Sequence, residues 1–252
     1  MEEIYFGKLT LVTSDYEPGL TISACEEDVV EIDIPAKVNG IPVIKIGDRA
    51  FANCRKLQKV NFPEYEPEDY LNDEVLREIG GNSFMDCSSL IKLELPETVT
   101  FIGHGAFYYC TALKKITFNP RAYVSACAFA KCTSLKEVTP VSQVNEGVFS
   151  HCESLTSLPI TSKVDEIGED AFEHCDGLTE ILIPKQIESI GSLAFRNAMG
   201  LKRVIFEEKN GWYWHCRYDG KNRPINVSDP EKNAHSLKWQ DFDDGVSGWY
   251  RK

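Results

Sequence analysis

The cysteines have the clearest potential for chemistry, because six of the nine occupy one repeated position. A Phe lies three residues before each of them and a Leu three residues after: Cys54, Cys87, Cys110, Cys132, Cys152 and Cys175. Thiols at regular spacing can form disulfides, bind metals or act as nucleophiles. A seventh copy of the pattern has Ala198 here, which favours small buried side chains over those roles. Cys25, Cys127 and Cys216 lie outside the pattern and are the better candidates for reactivity.

Histidine is the other residue type that could act as a metal ligand or a base. It precedes cysteine at His151-Cys152, His174-Cys175 and His215-Cys216, but neighbouring residues on a strand point apart, and neither Cys-x-x-Cys nor His-x₃-His occurs. The chain also lacks a Gly-x-Ser-x-Gly elbow and a glycine-rich phosphate loop. We therefore predict no catalytic, metal-binding or cofactor-binding residues, and a protein that is not an enzyme.

The cysteine pattern belongs to a longer internal repeat. Its Phe recurs with spacings of 33, 23, 22, 20, 23 and 23 residues, at Phe51, Phe84, Phe107, Phe129, Phe149, Phe172 and Phe195. A period of 20–29 residues with Leu at fixed offsets is typical of leucine-rich repeats. The first interval is longer because residues 65–77, an acidic and proline-containing stretch, form an insertion.

Each repeat can be interpreted as one turn of a solenoid. Alternating apolar residues after the Leu predict a short half-buried strand that often ends at Pro, as in Leu90 to Pro96. The following Ile-Gly predicts a corner, and Ala-Phe-x-x-Cys predicts a helical or 3₁₀ turn. We predict an α/β repeat solenoid, mainly β. The expected solenoid is a right-handed leucine-rich repeat superhelix with a parallel sheet, short helical or 3₁₀ turns and a cap at each end.

The repeat resembles the BspA-like branch of the leucine-rich repeat superfamily. The resemblance rests on Ile-Gly-x-x-Ala-Phe-x-x-Cys-x-x-Leu-x-x-Ile-x-Ile-Pro, nearly complete from Ile167 to Pro184, and on the opening segment from Ile32 to Gly47. The family occurs mainly in bacterial surface proteins, so the resemblance implies a cell-surface or secreted adhesin that attaches to host or matrix proteins.

The flanking segments are predicted to cap the solenoid. Residues 1–31 contain alternating runs around Asp15 to Gly19, which predict a β-hairpin cap. Residues 32–206 hold about seven repeats, and residues 207–252 form an aromatic C-terminal cap. In that cap Trp212-Tyr213-Trp214 predicts a strand, and Ser228-Asp229-Pro230-Glu231 predicts the start of a helix.

The surface of the predicted sheet offers the candidate binding residues. The formal net charge is −12, which disfavours nucleic acid as a partner. Alternation places two columns outward: Lys59, Lys92, Lys115, Glu137, Ser157, Glu180 and Arg203, and beside them Asn61, Glu94, Thr117, Thr139, Pro159, Leu182 and Ile205. Three lysines open the first column as a basic strip, and two apolar residues close the second. Partner binding is therefore assigned to Lys59, Lys92, Lys115, Glu137, Glu180, Leu182, Arg203 and Ile205.

These features predict a non-catalytic protein-interaction module that binds a protein partner, does not insert into membranes and is monomeric. The start of the chain, Met1-Glu2-Glu3-Ile4, is acidic and has no apolar run of the kind found in signal peptides. Two alternatives therefore remain open: an intracellular scaffold in the cytoplasm, and a carbohydrate binder or enzyme with a pocket lined by Trp212, Trp214 and Trp249.

Overall fold

The computed structural model describes residues 2–13, 18–65, 74–216, 221–239 and 246–251. The strands before the first repeat are β1 (Glu3–Phe6), β2 (Leu9–Thr13), β3 (Leu20–Cys25), β4 (Glu31–Asp33), β5 (Lys37–Val38) and β6 (Ile41–Ile46). The repeats contain β7 (Lys59–Asn61), β8 (Glu78–Ile79), β9 (Lys92–Glu94), β10 (Phe101–Ile102), β11 (Lys115–Thr117), β12 (Tyr123–Val124), β13 (Glu137–Val138), β14 (Glu166–Ile167), β15 (Glu180–Ile183), β16 (Ser189–Gly191) and β17 (Arg203–Phe206). The chain ends with β18 (Trp212–Cys216), β19 (Asn222–Pro224), α1 (Pro230–Lys238) and β20 (Val246–Arg251).

The repeats form a mainly β solenoid of about eight turns, which confirms the predicted fold class. Most turns carry two short strands. The strand that contains the repeated Ile or Val pairs in parallel with its equivalents in the series β6-β8-β10-β12 and β14-β16, which together we call the first face. The strand that follows the repeated Leu forms the second face, in the series β4-β7, β9-β11-β13 and β15-β17. Only the second-face strand was predicted, because the Ile-Gly pair was interpreted as a corner.

The Ala-Phe-x-x-Cys segment forms hydrogen-bonded turns that link the two faces. Within a turn the N–H of the Cys donates to the carbonyl of the Phe, as from Cys110 to Phe107 at 3.1 Å. Between turns, the N–H of each repeated Phe from Phe51 to Phe172 donates to the carbonyl of the residue before the Phe of the next turn, as from Phe107 to Ala128 at 2.8 Å. The bonds within a turn join residues three apart, which is the 3₁₀ pattern that the sequence predicts, although these described segments do not form a helix.

The core consists of identical residues stacked on one another. All seven repeated Phe side chains are fully buried, and successive rings stack at centroid distances of 4.8 to 5.6 Å. The repeated Leu and Ile or Val positions form parallel buried columns beside them. Each turn therefore buries its apolar side chains against its neighbours and cannot do so alone.

Both ends of the stack are covered by antiparallel strands. At the N-terminus β1, β2 and β3 form a three-stranded meander, and β3 continues in parallel onto β6. The predicted hairpin corresponds to β2 and β3, whereas β1 is separated from β2 by a turn at Gly7, whose φ is +59°. The residues 14–17 of the predicted hairpin turn and the residues 66–73 of the predicted insertion lie outside the described ranges.

The C-terminal cap pairs with the first face. Strand β20 runs antiparallel to β16 and to β18, which places Trp212 and Trp249 against Phe206. Helix α1 packs on β17, and its buried Asn233 donates to the carbonyls of Val204 and Val227 at 3.0 and 2.9 Å. The cap residue of α1 is Asp229, whose carboxylate accepts from two backbone N–H groups. The predicted position of the helix start is therefore correct.

Candidate functional site

The structure places the candidate binding residues on the second face in separate groups. Lys59 lies beside Glu31 in the pair β4-β7, and Lys92, Lys115 and Glu137 are neighbours across β9, β11 and β13. The remaining four lie together in the last pair of strands, where the register is Glu180 with Arg203 and Leu182 with Ile205. Within each group, residues that follow one another in a predicted column are therefore neighbours on adjacent strands.

The lysines of the predicted basic strip are each paired with a carboxylate. Lys59 lies 2.5 Å from Glu31, Lys92 lies 2.6 Å from Glu94, and Lys115 lies 2.7 Å from Glu137. The hydrogen bond and charge of each lysine lower the pKa of its partner carboxyl group. All six side chains are exposed to solvent, so these pairs contribute little to stability, but they largely cancel the positive charge of the strip.

Two of the lysines beside the central strands of this face lie outside the ion pairs recorded for the described residues. Lys114 and Lys136 follow the repeated Leu directly, one residue before the predicted column, and both are exposed. Neither forms an ion pair with any described residue. Sequence reasoning missed them because it considered only the two columns set by alternation.

A groove interrupts the second face after β13. Pro159 was expected to point outward, but it is buried, and residues 156–160 form no strand. Proline has no N–H to donate to the preceding turn, so the ladder cannot continue through this position. The resulting groove has a volume of about 400 Å³, and its lining includes Lys115, Lys136, Glu137, Leu158 and Pro159.

The apolar end of the face lies beyond this groove. Leu182 is 47% exposed, and Ile205 beside it is half-buried. Arg203 and Glu180 form an ion pair at 3.3 Å next to these two residues. This arrangement is an exposed apolar pair with a charged rim.

A second exposed surface lies on the first face. Phe101 and Tyr123 are neighbours in β10 and β12, where their rings stack at 5.7 Å and are 37% and 42% exposed. This surface was not predicted, because no strand was expected before the Ile-Gly pair. The alternation of Phe101 and Tyr123 with buried Ile102 and Val124 was the available signal.

The repeated thiols form a buried column with directed hydrogen bonds. Each donates to the carbonyl of the Phe in the preceding turn at 3.1 to 3.2 Å, from Cys87 to Cys175. Burial raises the pKa of these five thiols, so they stay protonated and act as donors. Cys25 and Cys127 are half-buried, and the side chain of Cys216 lies outside the part of the structure that is described.

Two histidines that are distant in the chain are brought into contact. His151 and His174 occupy the same position in successive turns, and their rings stack at 4.4 Å. His174 also lies 3.2 Å from the amide nitrogen of Asn197 through Nε2. Burial and the neighbouring His174 lower the pKa of His151. Within the described ranges no group of three or more His, Cys, Asp or Glu side chains is placed to hold a metal ion.

In the described part of the C-terminal cap, the rings of Trp212, Trp214 and Trp249 are packed rather than open to solvent. Trp212 and Trp249 are buried in the core of the cap, and the guanidinium of Arg223 lies 4.9 Å from the ring centre of Trp214. The cap therefore uses these rings for packing. None of the helices that the structure describes has the length and apolar character needed to cross a membrane.

Comparison with known proteins agrees with the repeat architecture. A family model described as BspA type Leucine rich repeat region, in six copies, matches residues 25–144 and 122–212. No curated protein matches the chain.

Solved structures of bacterial leucine-rich repeat proteins are also similar. The leucine rich repeat protein TpLRR of T. pallidum is 22% identical, with a TM-score of 0.57, and the match covers 82% of this chain and 84% of that one. A leucine-rich repeat protein from Bacteroides ovatus is 26% identical, with a TM-score of 0.43, over 71% of this chain and 57% of that one. The T. pallidum structure supports the fold, and the family match spans well over half of the sequence. The chain therefore belongs to the BspA type leucine rich repeat family.

Proposed function

We propose that this protein is a non-catalytic protein-interaction module of the cell-surface or secreted adhesin type, and that the second face binds a host or matrix protein. Leucine-rich repeat domains of this family are typically interaction modules. The observation that carries the proposal is the pair Leu182 and Ile205, which exposes apolar surface beside a charged rim on a rigid sheet. Protein interfaces are commonly organised in this way.

The binding energy is expected to come from a few anchors on this face. Leu182 and Ile205 would fill an apolar pocket of the partner, and Arg203 would exchange part of its pairing with Glu180 for a partner carboxylate. Lys114 and Lys136, which are exposed and outside the recorded ion pairs, would speed the approach of an acidic partner. The interaction should therefore weaken as salt is raised, while the apolar contribution persists.

The decisive experiment substitutes the apolar pair and compares it with a matched pair on the other face. The test variant is Leu182→Asp with Ile205→Asp, and the control variant is Phe101→Asp with Tyr123→Asp. Binding of each to a panel of immobilised host extracellular-matrix proteins would be measured by surface plasmon resonance. We expect the control to bind as the unsubstituted protein does and the test variant to lose at least tenfold in affinity. Equal binding by all three proteins would refute the assignment of the second face.

The cellular location can be tested separately. Protease added to intact cells should degrade a surface-exposed protein and leave an intracellular one whole. Protection of the chain in intact cells, together with degradation after lysis, would contradict the surface role and favour the intracellular scaffold.

A further inference from the structure

The hydrogen-bond ladder of the second face is interrupted between β13 and β15. In several turns the residue after the repeated Leu donates its N–H to the preceding turn at 2.8 to 3.0 Å, as at Lys114, Lys136 and Lys202. No such bond to a described residue is recorded for Thr156, which holds this position in the turn after β13. The chain pairs with the preceding turn again at the bridge between Val141 and Ile160. The segment between Leu155 and that bridge therefore leaves β13 without a neighbouring strand.

Strand β13 consequently has an open edge. The N–H of Glu137 donates to the carbonyl of Lys114 at 3.1 Å. The N–H of Thr139 donates to that of Ile116 at 3.2 Å, so both donors point to the preceding turn. Backbone groups of successive residues in a strand point to opposite sides, so the N–H and C=O of Val138 face the next turn. Val138 lines the groove, and no hydrogen bond across it is recorded for either group.

The charge of the groove favours an acidic ligand. Its charged lining residues are Lys115, Lys136 and Glu137. Lys115 and Glu137 pair with each other at 2.7 Å, whereas Lys136 is exposed and lies outside the ion pairs recorded for the described residues. The lining therefore keeps a net positive charge, although the formal net charge of the chain is −12. A carboxylate that approaches this groove is attracted by Lys136.

Another interruption of the same face has the opposite charge. It lies between β7 and β9, which belong to separate sheets, and its groove has a volume of about 350 Å³. Among the described residues, the charged side chains of its lining are Glu64, Glu94 and Glu97. An acidic segment would be repelled there. Of these two breaks in the ladder, the one beside β13 is therefore the one suited to an acidic ligand.

The size of the groove limits what it can hold. Its volume of about 400 Å³ is near the lower end of the range for ligand pockets, about 300–1,000 Å³. The apolar part of the lining includes the half-buried Leu158 and the buried Pro159. An edge strand with open N–H and C=O groups is a template for one more strand. These dimensions suit a short extended segment and exclude a folded domain.

We propose that the groove beside β13 binds a short extended segment of the partner protein, which carries acidic side chains and adds to β13 as a further strand. Backbone groups of the segment would bond to the N–H and C=O of Val138, as in other cases of strand addition. One carboxylate would pair with Lys136, and an apolar side chain would pack on Leu158. The inference rests on the proposed function, since it specifies what the second face binds beside its apolar end.

The test uses the full chain, labelled with ¹⁵N, and a synthetic octapeptide in which Glu alternates with Val. Two-dimensional NMR would follow the backbone amide signals as the peptide is added. We expect saturable shifts at Val138 and its neighbours in the groove. The same peptide with Lys in place of Glu, or with methyl groups on its backbone nitrogens, should cause no such shifts. The methylated peptide keeps its carboxylates but cannot donate to the carbonyl of Val138.

Substitutions at Val138 separate the backbone donor from the side chain. Val138→Pro removes an N–H for which the fold records no partner, and proline is tolerated at such edge positions. Val138→Ala shortens the side chain as well but keeps the N–H. We expect Val138→Pro to weaken peptide binding about tenfold relative to Val138→Ala. Circular dichroism would show that both variants fold.

A pair of charge reversals provides the matched control. Lys136→Glu should weaken peptide binding about fivefold, because it places a carboxylate in the groove. Lys202 holds the same position after the repeated Leu but is not part of the groove lining, so Lys202→Glu should leave binding unchanged. Equal effects of the two reversals would show that only the overall charge matters and would overturn the proposal.

The unsubstituted chain gives the deciding result and does not require any variant to fold. The absence of a saturable shift, shifts confined to other parts of the chain, or equal binding of the methylated peptide would overturn the proposal. The variant Leu182→Asp with Ile205→Asp separates this inference from the proposed function, since neither residue lines the groove. It should bind the peptide as the unsubstituted protein does. Loss of matrix-protein binding by this variant, with no peptide binding to any form of the chain, would refute strand addition and leave the proposed function standing.

Discussion

Truncation of Phe129 tests whether the ring column holds the solenoid together. The Phe129 side chain is fully buried at the centre of the stack. Its ring lies 5.6 Å from each of Phe107 and Phe149, and 5.9 Å from Phe118. Phe129→Ala would therefore leave a cavity that borders three other rings.

The size of the effect follows from these contacts. Truncating a buried Phe to Ala costs about 3–5 kcal/mol. Aromatic pairs are worth about 0.5–1.5 kcal/mol each beyond the area they bury, and this site loses three of them. We therefore expect the upper end of the range, about 5 kcal/mol. That loss is comparable to the whole stability of many domains, which is about 5–15 kcal/mol.

Phe195→Ala is the internal comparison for this experiment. Phe195 is equally buried, but the structure records one ring contact for it, to Phe172 at 5.4 Å. We expect its truncation to cost about 3 kcal/mol. Urea unfolding followed by circular dichroism would measure both variants. A loss under about 1 kcal/mol for Phe129→Ala, or a larger loss for Phe195→Ala, would refute the register of the stack.

Three further substitutions test other parts of the structure. Gly103→Ala would place a Cβ 2.7 Å from the backbone of Gly80, so we expect the free energy of unfolding to fall by about 2 kcal/mol. Thermal unfolding would measure this, and an unchanged midpoint would contradict the close approach of the two backbones. Burial and the charge of Glu173 raise the pKa of Asp170 to about 6 from its ordinary 3.8, so ionisation of its carboxyl group costs stability from about pH 4 upward and in full above about pH 6. Asp170→Asn should therefore gain about 1 kcal/mol at pH 8, after allowance for solvent screening, and nothing below pH 4 in urea unfolding. Asn233→Ala would leave two buried carbonyls without a donor and should cost about 2 kcal/mol by the same assay, while a change under 0.5 kcal/mol would show that α1 is held otherwise.

The buried columns could be predicted from the sequence because they depend on residue type at a fixed position. Phe, Leu and Cys recur at constant offsets, so a solenoid must bring each set together. The backbone of the turns could not be predicted in this way. Residues two positions before and after each repeated Phe have positive φ, including Lys131 at 64° and His174 at 54°. Asn, Asp, His or Gly, which favour a left-handed conformation, occupy nine of these fourteen positions, but the other five vary in type, so no single residue type marks the position.

In the candidate site, too, the sequence pattern predicts the orientation of side chains but not the contacts that they make. Alternation predicted that Lys115 and Glu137 would face outward, but an ion pair between them depends on their being neighbours across two turns. The predicted column already placed these two residues one turn apart, but the pattern does not show which charged side chains of a column form ion pairs. In a solenoid the relevant neighbour is the residue at the same position one turn away.

This geometry also explains where chemistry arises in a protein built from repeats. A regular position places like beside like, and a column of identical buried thiols or rings contributes packing alone. Reactive or binding arrangements require a departure from the repeat that brings unlike residues together or exposes an apolar one. Pro159 opens the groove by removing a donor, and Leu182 exposes apolar surface where the first four turns have polar residues. The proposed binding surface therefore rests on places where the residue type departs from the rest of its column.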